Sequence, residues 1–197
     1  MEQYITSFFI FSVILTVFVL GVLYNMKLTR SNKNFVPDAN KAFKPTAMQL
    51  SLSKSIKQIP WRNDYRIDNG PLDNEHFALF GLINRFNINV LRFTSAAQIM
   101  PFMASLKEYT EEHFELEEEL QRKSGYAFYD DHKMKHALLI NELNILTKKA
   151  KNAKKDNVTD IALEIGLWLQ DWLETHFLED DLSMKPYINR MQDPSRK

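Results

Sequence analysis

The sequence predicts an all-α protein: an up-down-up-down four-helix bundle preceded by one transmembrane helix. Three observations support this prediction. Four segments after residue 70 repeat apolar side chains at helical spacing, and no segment shows the strict apolar–polar alternation of a strand. The connections between these segments are short, which favours antiparallel neighbours. An uncharged stretch near residue 1 is long enough to cross a bilayer as a helix.

The uncharged stretch covers residues 3–26 and is rich in Phe, Val, Ile and Leu. As a helix it would be about 36 Å long, against ~30 Å for the hydrocarbon core of a bilayer. A cleaved signal peptide is the alternative, but Glu2 is the only early charge and residues 23–26 make a poor cleavage site. Lys27 and Arg30 follow directly, so the positive-inside rule predicts a single-pass protein of the inner membrane with a cytoplasmic C-terminal domain.

Residues 27–60 are predicted to form a basic linker with seven basic side chains and one acid, Asp38. This charge favours contact with anionic lipid, and a merely solvated linker is an equal alternative. Residues 46–58 are a candidate short helix within it. From residue 61 onward the chain carries 18 basic and 23 acidic side chains, which argues against a nucleic-acid partner. The chain has no cysteine, so disulfides and cysteine-ligated metal clusters are excluded.

The bundle itself is predicted over residues 61–190 and is followed by a tail at 191–197. Its first helix is expected to run to about residue 92. The third helix is expected over about 130–150, and the fourth begins near Thr159 and ends between residues 175 and 181. All four helices are long enough to present an apolar stripe to a shared core.

Cap residues mark several of the predicted helix ends. Asp73 is a candidate N-cap of the first helix. Ser95 with Gln98 resembles a capping box at the start of the second helix. Gly125 is placed to end the second helix in the left-handed conformation.

Two pairs of polar side chains fall on the apolar stripes of the second and third helices. His113 and Glu117 are four residues apart, and so are His132 and His136, so each pair shares one helix face. A single pair of this kind is usually exposed or satisfied by neighbours. A carboxylate on a core stripe, however, is costly unless it is paired or bound to a metal. The other glutamates of the second helix, Glu118 included, are expected to face solvent.

The remaining two histidines also lie on core stripes. His76 falls on the stripe of the first helix and His176 on that of the fourth, with Asp181 five residues later. Five imidazoles and two carboxylates directed inward from four helices are sufficient to hold two metal ions. Imidazole together with carboxylate suits iron better than magnesium or calcium, which prefer oxygen ligands.

At this point the sequence resembles the hemerythrin family. The ordered signature of that family is filled at all seven positions: His76, His113, Glu117, His132, His136, His176 and Asp181. Trp61, Tyr65 and Trp172 match the flanks of this signature, and the resemblance extends over about residues 61–187. The long spacing between the last two histidines resembles the bacterial branch of the family.

The resemblance implies a centre of two non-heme iron ions bridged by Glu117, Asp181 and an oxo or hydroxo group. One iron would be held by three histidines and the other by His76 and His113, which leaves a coordination position open on the second iron. The three histidines of the first iron would be His132, His136 and His176. An apolar pocket around the open position would be lined by Phe114, Trp172, Phe177 and Leu178.

The implied function is the binding of dioxygen, for its carriage, storage or delivery at the membrane. Five neutral imidazoles favour binding dioxygen over splitting it, so an oxygen-binding protein without further catalytic residues is preferred to an enzyme. Two alternatives remain open: a sensor of oxygen or redox state that acts through a partner protein, and a di-iron enzyme acting on nitric oxide or peroxide. The expected partners are dioxygen, membrane lipid through the N-terminal helix, and a membrane oxidase or signalling protein.

Overall fold

The computed structural model describes residues 44–193 and 195, and all regular secondary structure in this part of the chain is helical. It contains six α-helices: α1 Ala47–Ser55, α2 Pro71–Ile88, α3 Ala96–Ser124, α4 Tyr129–Lys151, α5 Val158–Asp171 and α6 Lys185–Gln192. Short 3₁₀ turns lie at Asn63–Tyr65 and Val90–Arg92. After α5 the chain continues as a π-helix over Trp172–Asp180 and a 3₁₀ turn over Asp181–Met184.

None of the helices in the described part of the chain combines the length and the apolar composition needed to cross a lipid bilayer. The predicted transmembrane segment, residues 3–26, lies outside the described residues.

Helices α2 to α5 form a helical bundle whose interior is filled by one apolar stripe from each helix. The fully buried side chains of these stripes include Leu79, Ile83, Met103, Leu106, Leu143, Ile165 and Leu169. Burial of a side chain of this size stabilises the fold by about 1.5–3 kcal/mol. At one end of the bundle, Thr159 Oγ1 donates to the carbonyl oxygen of Phe93 (3.2 Å), which ties the start of α5 to the α2–α3 connection.

The first bundle helix starts earlier than the sequence suggested. Helix α2 begins at Pro71, so the prediction of Asp73 as its N-cap is wrong. The cap is supplied by Asp68, whose Oδ1 accepts from the N–H of Asp73 (3.1 Å). The Asp73 carboxylate instead accepts from the backbone N–H groups of Ile67 (2.6 Å) and Asn69 (2.9 Å), and so holds the preceding segment against the bundle.

The two ends of α3 differ in how well the sequence predicted them. The predicted capping box at Ser95 is wrong, because the Ser95 side chain makes no capping hydrogen bond. Gln98 Oε1 accepts instead from the backbone N–H of Thr94 (2.7 Å). At the other end Gly125 has φ 67°, so the left-handed termination is confirmed. Glycine adopts this conformation without the steric cost that a Cβ atom would add.

Helix α1, which the sequence suggested only as a candidate, packs against α5. Gln49 Nε2 donates to Asp160 Oδ1 (2.8 Å) near the start of α5, and the backbone N–H of Lys57 donates to Gln170 Oε1 (2.6 Å) near its end. The two helices therefore run side by side in the same direction. The predicted boundary at residue 61 falls inside the folded unit, since α1 belongs to it.

The last helix was not predicted from the sequence. Helix α6 packs against α3 and buries Ile188 completely. The rings of Tyr187 and Tyr126 meet edge to face with their centroids 5.3 Å apart. The predicted tail at 191–197 therefore begins inside this helix, which ends at Gln192.

Candidate metal centre

The structure brings together all seven side chains that the sequence singled out as candidate ligands. His76 comes from α2, and α3 and α4 each supply one pair of side chains four residues apart. The π-helix supplies His176, and Asp181 follows directly after it. Every one of the seven is at most 4% exposed. They form two groups that share Asp181: His132, His136, His176 and Asp181, and His76, His113, Glu117 and Asp181.

The π-helix explains how His176 and Asp181 reach the same centre. Residues five apart point in clearly different directions on an α-helix, which has 3.6 residues per turn. In this segment the backbone N–H of Asp181 donates to the carbonyl oxygens of His176 and Phe177. The bond to His176 is an i→i+5 bond, which widens the turn and places residues five apart one above the other. The spacing of five in the sequence is thereby matched by the local backbone.

The two buried carboxylates face histidines of both groups. Glu117 Oε1 lies 2.8 Å from His132 Nε2, and Glu117 Oε2 lies 3.4 Å from His113 Nε2. Asp181 Oδ1 lies 3.2 Å from His132 Nε2 and 3.3 Å from His176 Nε2, while its Oδ2 lies 3.3 Å from His76 Nε2. Each carboxylate is therefore placed between the two groups.

The polar atoms at the centre have too few partners for a buried site. Six nitrogen and oxygen atoms form no hydrogen bond in the described part of the chain: Nε2 of His76, His132, His136 and His176, Oε2 of Glu117 and Oδ1 of Asp181. Buried polar atoms in folded proteins are nearly always satisfied, because leaving them unpaired is costly. The donor atoms within each group lie within 4.8 Å of one another. Metal ions bound in the two groups would satisfy these atoms, and the donor types suit iron.

The ionisation of the centre reflects its two buried negative charges. Burial by itself would lower the pKa of His132, but the carboxylates of Asp181 and Glu117 outweigh it and raise that pKa to about 10. Burial and the nearby charges of His176 and His132 lower the pKa of His136 to about 2. Burial opposes ionisation of Asp181, yet the charge of His176 and the contact with His132 hold its pKa well below the ordinary value. The carboxylates thus attract positive charge into the centre, which favours cation binding.

Carboxylates outside the centre contact the outer nitrogens of the histidines, and the sequence reasoning missed them. Glu118 Oε1 lies 3.2 Å from His136 Nδ1, and Glu75 Oε2 lies 3.2 Å from His113 Nδ1. Such carboxylates fix the tautomer and orientation of a ligating histidine. The expectation that Glu118 faces solvent is wrong, because its side chain is only 16% exposed.

A similar arrangement surrounds His176. Asp180 Oδ2 lies 3.7 Å from His176 Nδ1, which is a charge contact rather than a hydrogen bond. Two lysines of α4 hold the outer carboxylates: Lys133 donates to Glu118 and Lys135 donates to Asp180. The sequence signal for these outer carboxylates is that each lies next to a candidate ligand. This signal is weak, because neighbouring residues on a helix point in different directions.

Gln121 is a further polar residue of the centre that the sequence reasoning missed. It is completely buried, and its Nε2 donates to Glu117 Oε1 (2.7 Å). A spacing of four from Glu117 places it on the same helix face. This hydrogen bond fixes one oxygen of the shared carboxylate.

Aromatic rings cover the centre on both sides. Phe114 stacks on His136 with ring centroids 3.7 Å apart and planes 5° apart. Phe177 meets His76 edge to face at 4.7 Å, and Phe80 packs behind Phe177 at 4.8 Å. The two phenylalanines predicted to line one pocket therefore lie against different ligand groups.

The other two predicted lining residues differ in burial. Trp172 is 2% exposed, and its ring lies 6.0 Å from that of Phe114. Leu178 is partly exposed. On the His76 side, Trp61 and Tyr65 add their rings against Phe177, at centroid distances of 5.8 and 5.6 Å.

Comparison with known proteins agrees with this arrangement. The family model for the Hemerythrin HHE cation binding domain matches residues 70–188. A bacteriohemerythrin of Clostridium acetobutylicum is 27% identical over 124 residues, which are 61% of this chain and 94% of that protein. The bacteriohemerythrin of Stenotrophomonas maltophilia is 26% identical over 136 residues, covering 67% and 85%. That of Pseudomonas aeruginosa is 27% identical over 126 residues, covering 64% and 78%.

The fold is also shared with a solved structure. The crystal structure of a hemerythrin point mutant aligns with a TM-score of 0.53 and 23% sequence identity, covering 66% of this chain and 96% of that one. The residues that the family model matches, 70–188, include all seven side chains of the centre. The chain therefore belongs to the hemerythrin family and carries a hemerythrin HHE cation-binding domain over residues 70–188.

Proposed function

We propose that this protein is a non-heme di-iron protein that binds dioxygen reversibly at the membrane. The observation that carries the proposal is the pair of buried ligand groups, in which five imidazoles and two carboxylates converge and share Asp181. The family membership and the names of the bacteriohemerythrin relatives support the same conclusion.

The candidate ligands of this chain would be distributed between the two iron ions. His132, His136 and His176 would hold one iron, and His76 with His113 would hold the other. Glu117 and Asp181 lie between the groups and would bridge them, with an oxo or hydroxo group as the further bridge. A pair of iron ions held in this way supplies reversible binding of dioxygen. The second group has one histidine fewer, which leaves room for the ligand on the His76 side.

The aromatic packing around His76 supports binding and release in preference to reaction. Phe177 is 1% exposed and lies against His76 on the side of the two-histidine group. An apolar wall at this position limits the access of water and protons to the centre, and these promote irreversible oxidation. Five neutral ligands against two carboxylates also favour ferrous iron.

The membrane location is proposed from the sequence of residues 3–26 and the basic residues that follow it. The protein is expected to be a single-pass protein of the inner membrane with its bundle in the cytoplasm. The full chain should stay with membranes during carbonate extraction. Recovery of a shortened, soluble form starting after about residue 25 would contradict this location.

An anaerobic ferrous preparation of the full chain in detergent tests the oxygen-binding function. Exposure to dioxygen should produce a visible absorption band, and purging with inert gas should remove it over repeated cycles. Phe177→Leu should speed the irreversible loss of this response while iron stays bound, because the wall against His76 becomes smaller. Phe128→Leu is a matched control, since Phe128 is 58% exposed.

Irreversible oxidation of the wild-type protein at the first exposure would contradict the oxygen-binding proposal. Rapid consumption of nitric oxide or peroxide in the same preparation would favour an enzyme instead.

A further inference from the structure

One end of the bundle is strongly basic, and the metal centre does not use it. Five lysines and two aspartates lie between residues 148 and 160, around the α4–α5 connection. All five lysines are exposed: Lys148, Lys149, Lys151, Lys154 and Lys155. Lys149 pairs with Glu164, and the other four form no ion pair with any residue that the structure describes. We refer to this region as the lysine-rich end.

The lysine-rich end lies far from the candidate ligands. His132 and Lys148 are on the same helix, α4, sixteen residues apart. At 1.5 Å per residue this separation is about 24 Å along the helix axis. A surface that covers the lysine-rich end would leave the metal centre uncovered.

Helix α1 begins at this same end of the bundle. Thr46 and Gln49 form a capping box that fixes the first turn of α1. Gln49 Nε2 donates to Asp160 Oδ1 (2.8 Å), immediately after the lysine-rich connection. Helix α1 therefore begins beside the lysine-rich end and runs along α5 towards Gln170.

Exposed apolar side chains accompany the lysines. Met48 and Leu50, on the first turn of α1, are 73% and 42% exposed, and Ile145 near the end of α4 is 49% exposed. A shallow cleft lies between the end of α4 and the start of α5. It is lined by Ile145, Lys148, Lys149, Asn152, Asn157 and Ile161. Ammonium and amide groups beside apolar carbons match a phospholipid, which has an anionic headgroup above its hydrocarbon chains.

The opposite end of the bundle lacks this charge. Arg122 and Lys123 lie in the last turn of α3, and Asp130 and Asp131 lie in the first turn of α4. Lys123 also pairs with Glu119 (2.6 Å). Positive charge is therefore concentrated at the end of the bundle where α1 begins.

We propose that the lysine-rich end docks on the surface of a bilayer that contains anionic phospholipid. The lysines would contact headgroup phosphates, and Met48 and Leu50 would enter the interface. This inference rests on the membrane location proposed above, because a nearby membrane raises the local lipid concentration. Docking orients the bundle so that the metal centre points away from the membrane.

The absence of cysteine from the chain allows a site-specific test. Asn152→Cys places a fluorescent label at the lysine-rich end, and Ala127→Cys places the same label in the exposed α3–α4 connection. The full chain is reconstituted into vesicles of phosphatidylcholine alone or of equal parts phosphatidylcholine and phosphatidylglycerol. Both contain a little spin-labelled lipid. The label at position 152 should be quenched several-fold more in the vesicles with phosphatidylglycerol, and the label at position 127 should respond to neither composition.

Two matched charge variants identify the groups responsible. Lys154→Gln combined with Lys155→Gln should reduce the quenching at position 152 nearly to its value on phosphatidylcholine alone, since each lysine contributes about fivefold, and two together about 25-fold, to binding at an anionic surface. Arg122→Gln combined with Lys123→Gln removes the same charge at the other end and should leave it unchanged. Equal quenching at positions 152 and 127, no dependence on phosphatidylglycerol, or equal effects of the two variants would overturn the inference.

The same vesicles separate this inference from the proposed membrane location. Retention of the protein on pure phosphatidylcholine vesicles after a high-salt wash reports the N-terminal anchor alone. Loss of retention would contradict the anchor, whereas retention with an unresponsive label at position 152 would contradict docking alone.

Discussion

The two ligand groups of the metal centre differ most in what lies behind their histidines. In the three-histidine group, Glu118 contacts His136 and Asp180 contacts His176, and a lysine of α4 holds each carboxylate. In the two-histidine group, Glu75 contacts the outer nitrogen of His113. His76 Nδ1 has no hydrogen-bond partner among the residues that the structure describes.

The two ligand groups are therefore candidates for two kinds of metal position. Outer carboxylates orient histidines and raise their basicity, so the three-histidine group is built to hold its metal firmly. In the two-histidine group, the ring of His76 lies against Phe177 and no outer carboxylate contacts its Nδ1 among the residues that the structure describes. A less constrained group beside an apolar wall is suited to accept an external ligand. Four predictions test this comparison, from the largest expected effect to the smallest.

Glu117→Ala should have the largest effect, because this carboxylate lies between the two groups. The variant is expected to lose metal from both positions and to melt at a clearly lower temperature than wild type. Metal analysis and thermal unfolding followed by circular dichroism measure these changes. Glu119→Ala is the control, because Glu119 is 51% exposed and pairs only with Lys123. Surface changes of that kind usually stay within about 0.5 kcal/mol. Equal metal content in the two variants would show that Glu117 is not a ligand.

Removing one histidine from either group should show which of the two groups holds its metal more firmly. His76→Ala leaves the three-histidine group intact, so this variant should retain one metal ion per chain. His136→Ala removes a candidate ligand from the three-histidine group, together with the contact between that ligand and Glu118. This variant should therefore retain less metal than His76→Ala. Metal titration under anaerobic conditions measures both. The opposite order of retention would show that the outer carboxylates do not decide which group binds more firmly.

Glu118→Gln should weaken metal binding without removing a ligand. The amide is a poorer acceptor for the outer N–H of His136, and loss of such outer partners typically costs about 10–100-fold in metal affinity. Competition with a coloured chelator measures the affinity. Glu119→Gln makes the same chemical change one residue further along α3 and should leave the affinity unchanged. An effect of equal size in both variants would remove the special role given to Glu118.

Lys133→Gln should give the smallest effect. The Lys133 side chain is 55% exposed, and exposed ion pairs are worth about 0–1 kcal/mol. The expected loss of metal affinity is therefore at most about fivefold, and it should shrink further in high salt. Lys149→Gln breaks a similarly exposed pair with Glu164, far from the ligands, and serves as the control. A loss as large as that of Glu118→Gln would mean that the lysine, and not the carboxylate, sets the position of His136.

The sequence by itself determined the helical class, the family and the seven candidate ligands. The helical period of 3.6 residues is enough for this: a spacing of four puts His113 with Glu117, and His132 with His136, on one face whatever surrounds the helix. Burial of a carboxylate then points to a metal or a partner. Gly125 was predictable for the same reason, since the conformation it adopts is a local property of the backbone.

Only the tertiary structure decided how the centre is supported. The contacts of Glu75 and Glu118 with their histidines join residues 38 and 18 positions apart, so no local pattern reveals them. The π-helix that aligns His176 with Asp181 depends on packing, because it replaces the i→i+4 bonds that the sequence alone would favour. Helix α1 likewise has its place because Gln49 meets Asp160, 111 residues away. Local spacing determines which side chains share a helix face. Contacts between distant segments determine which carboxylates contact the outer nitrogens of the histidines.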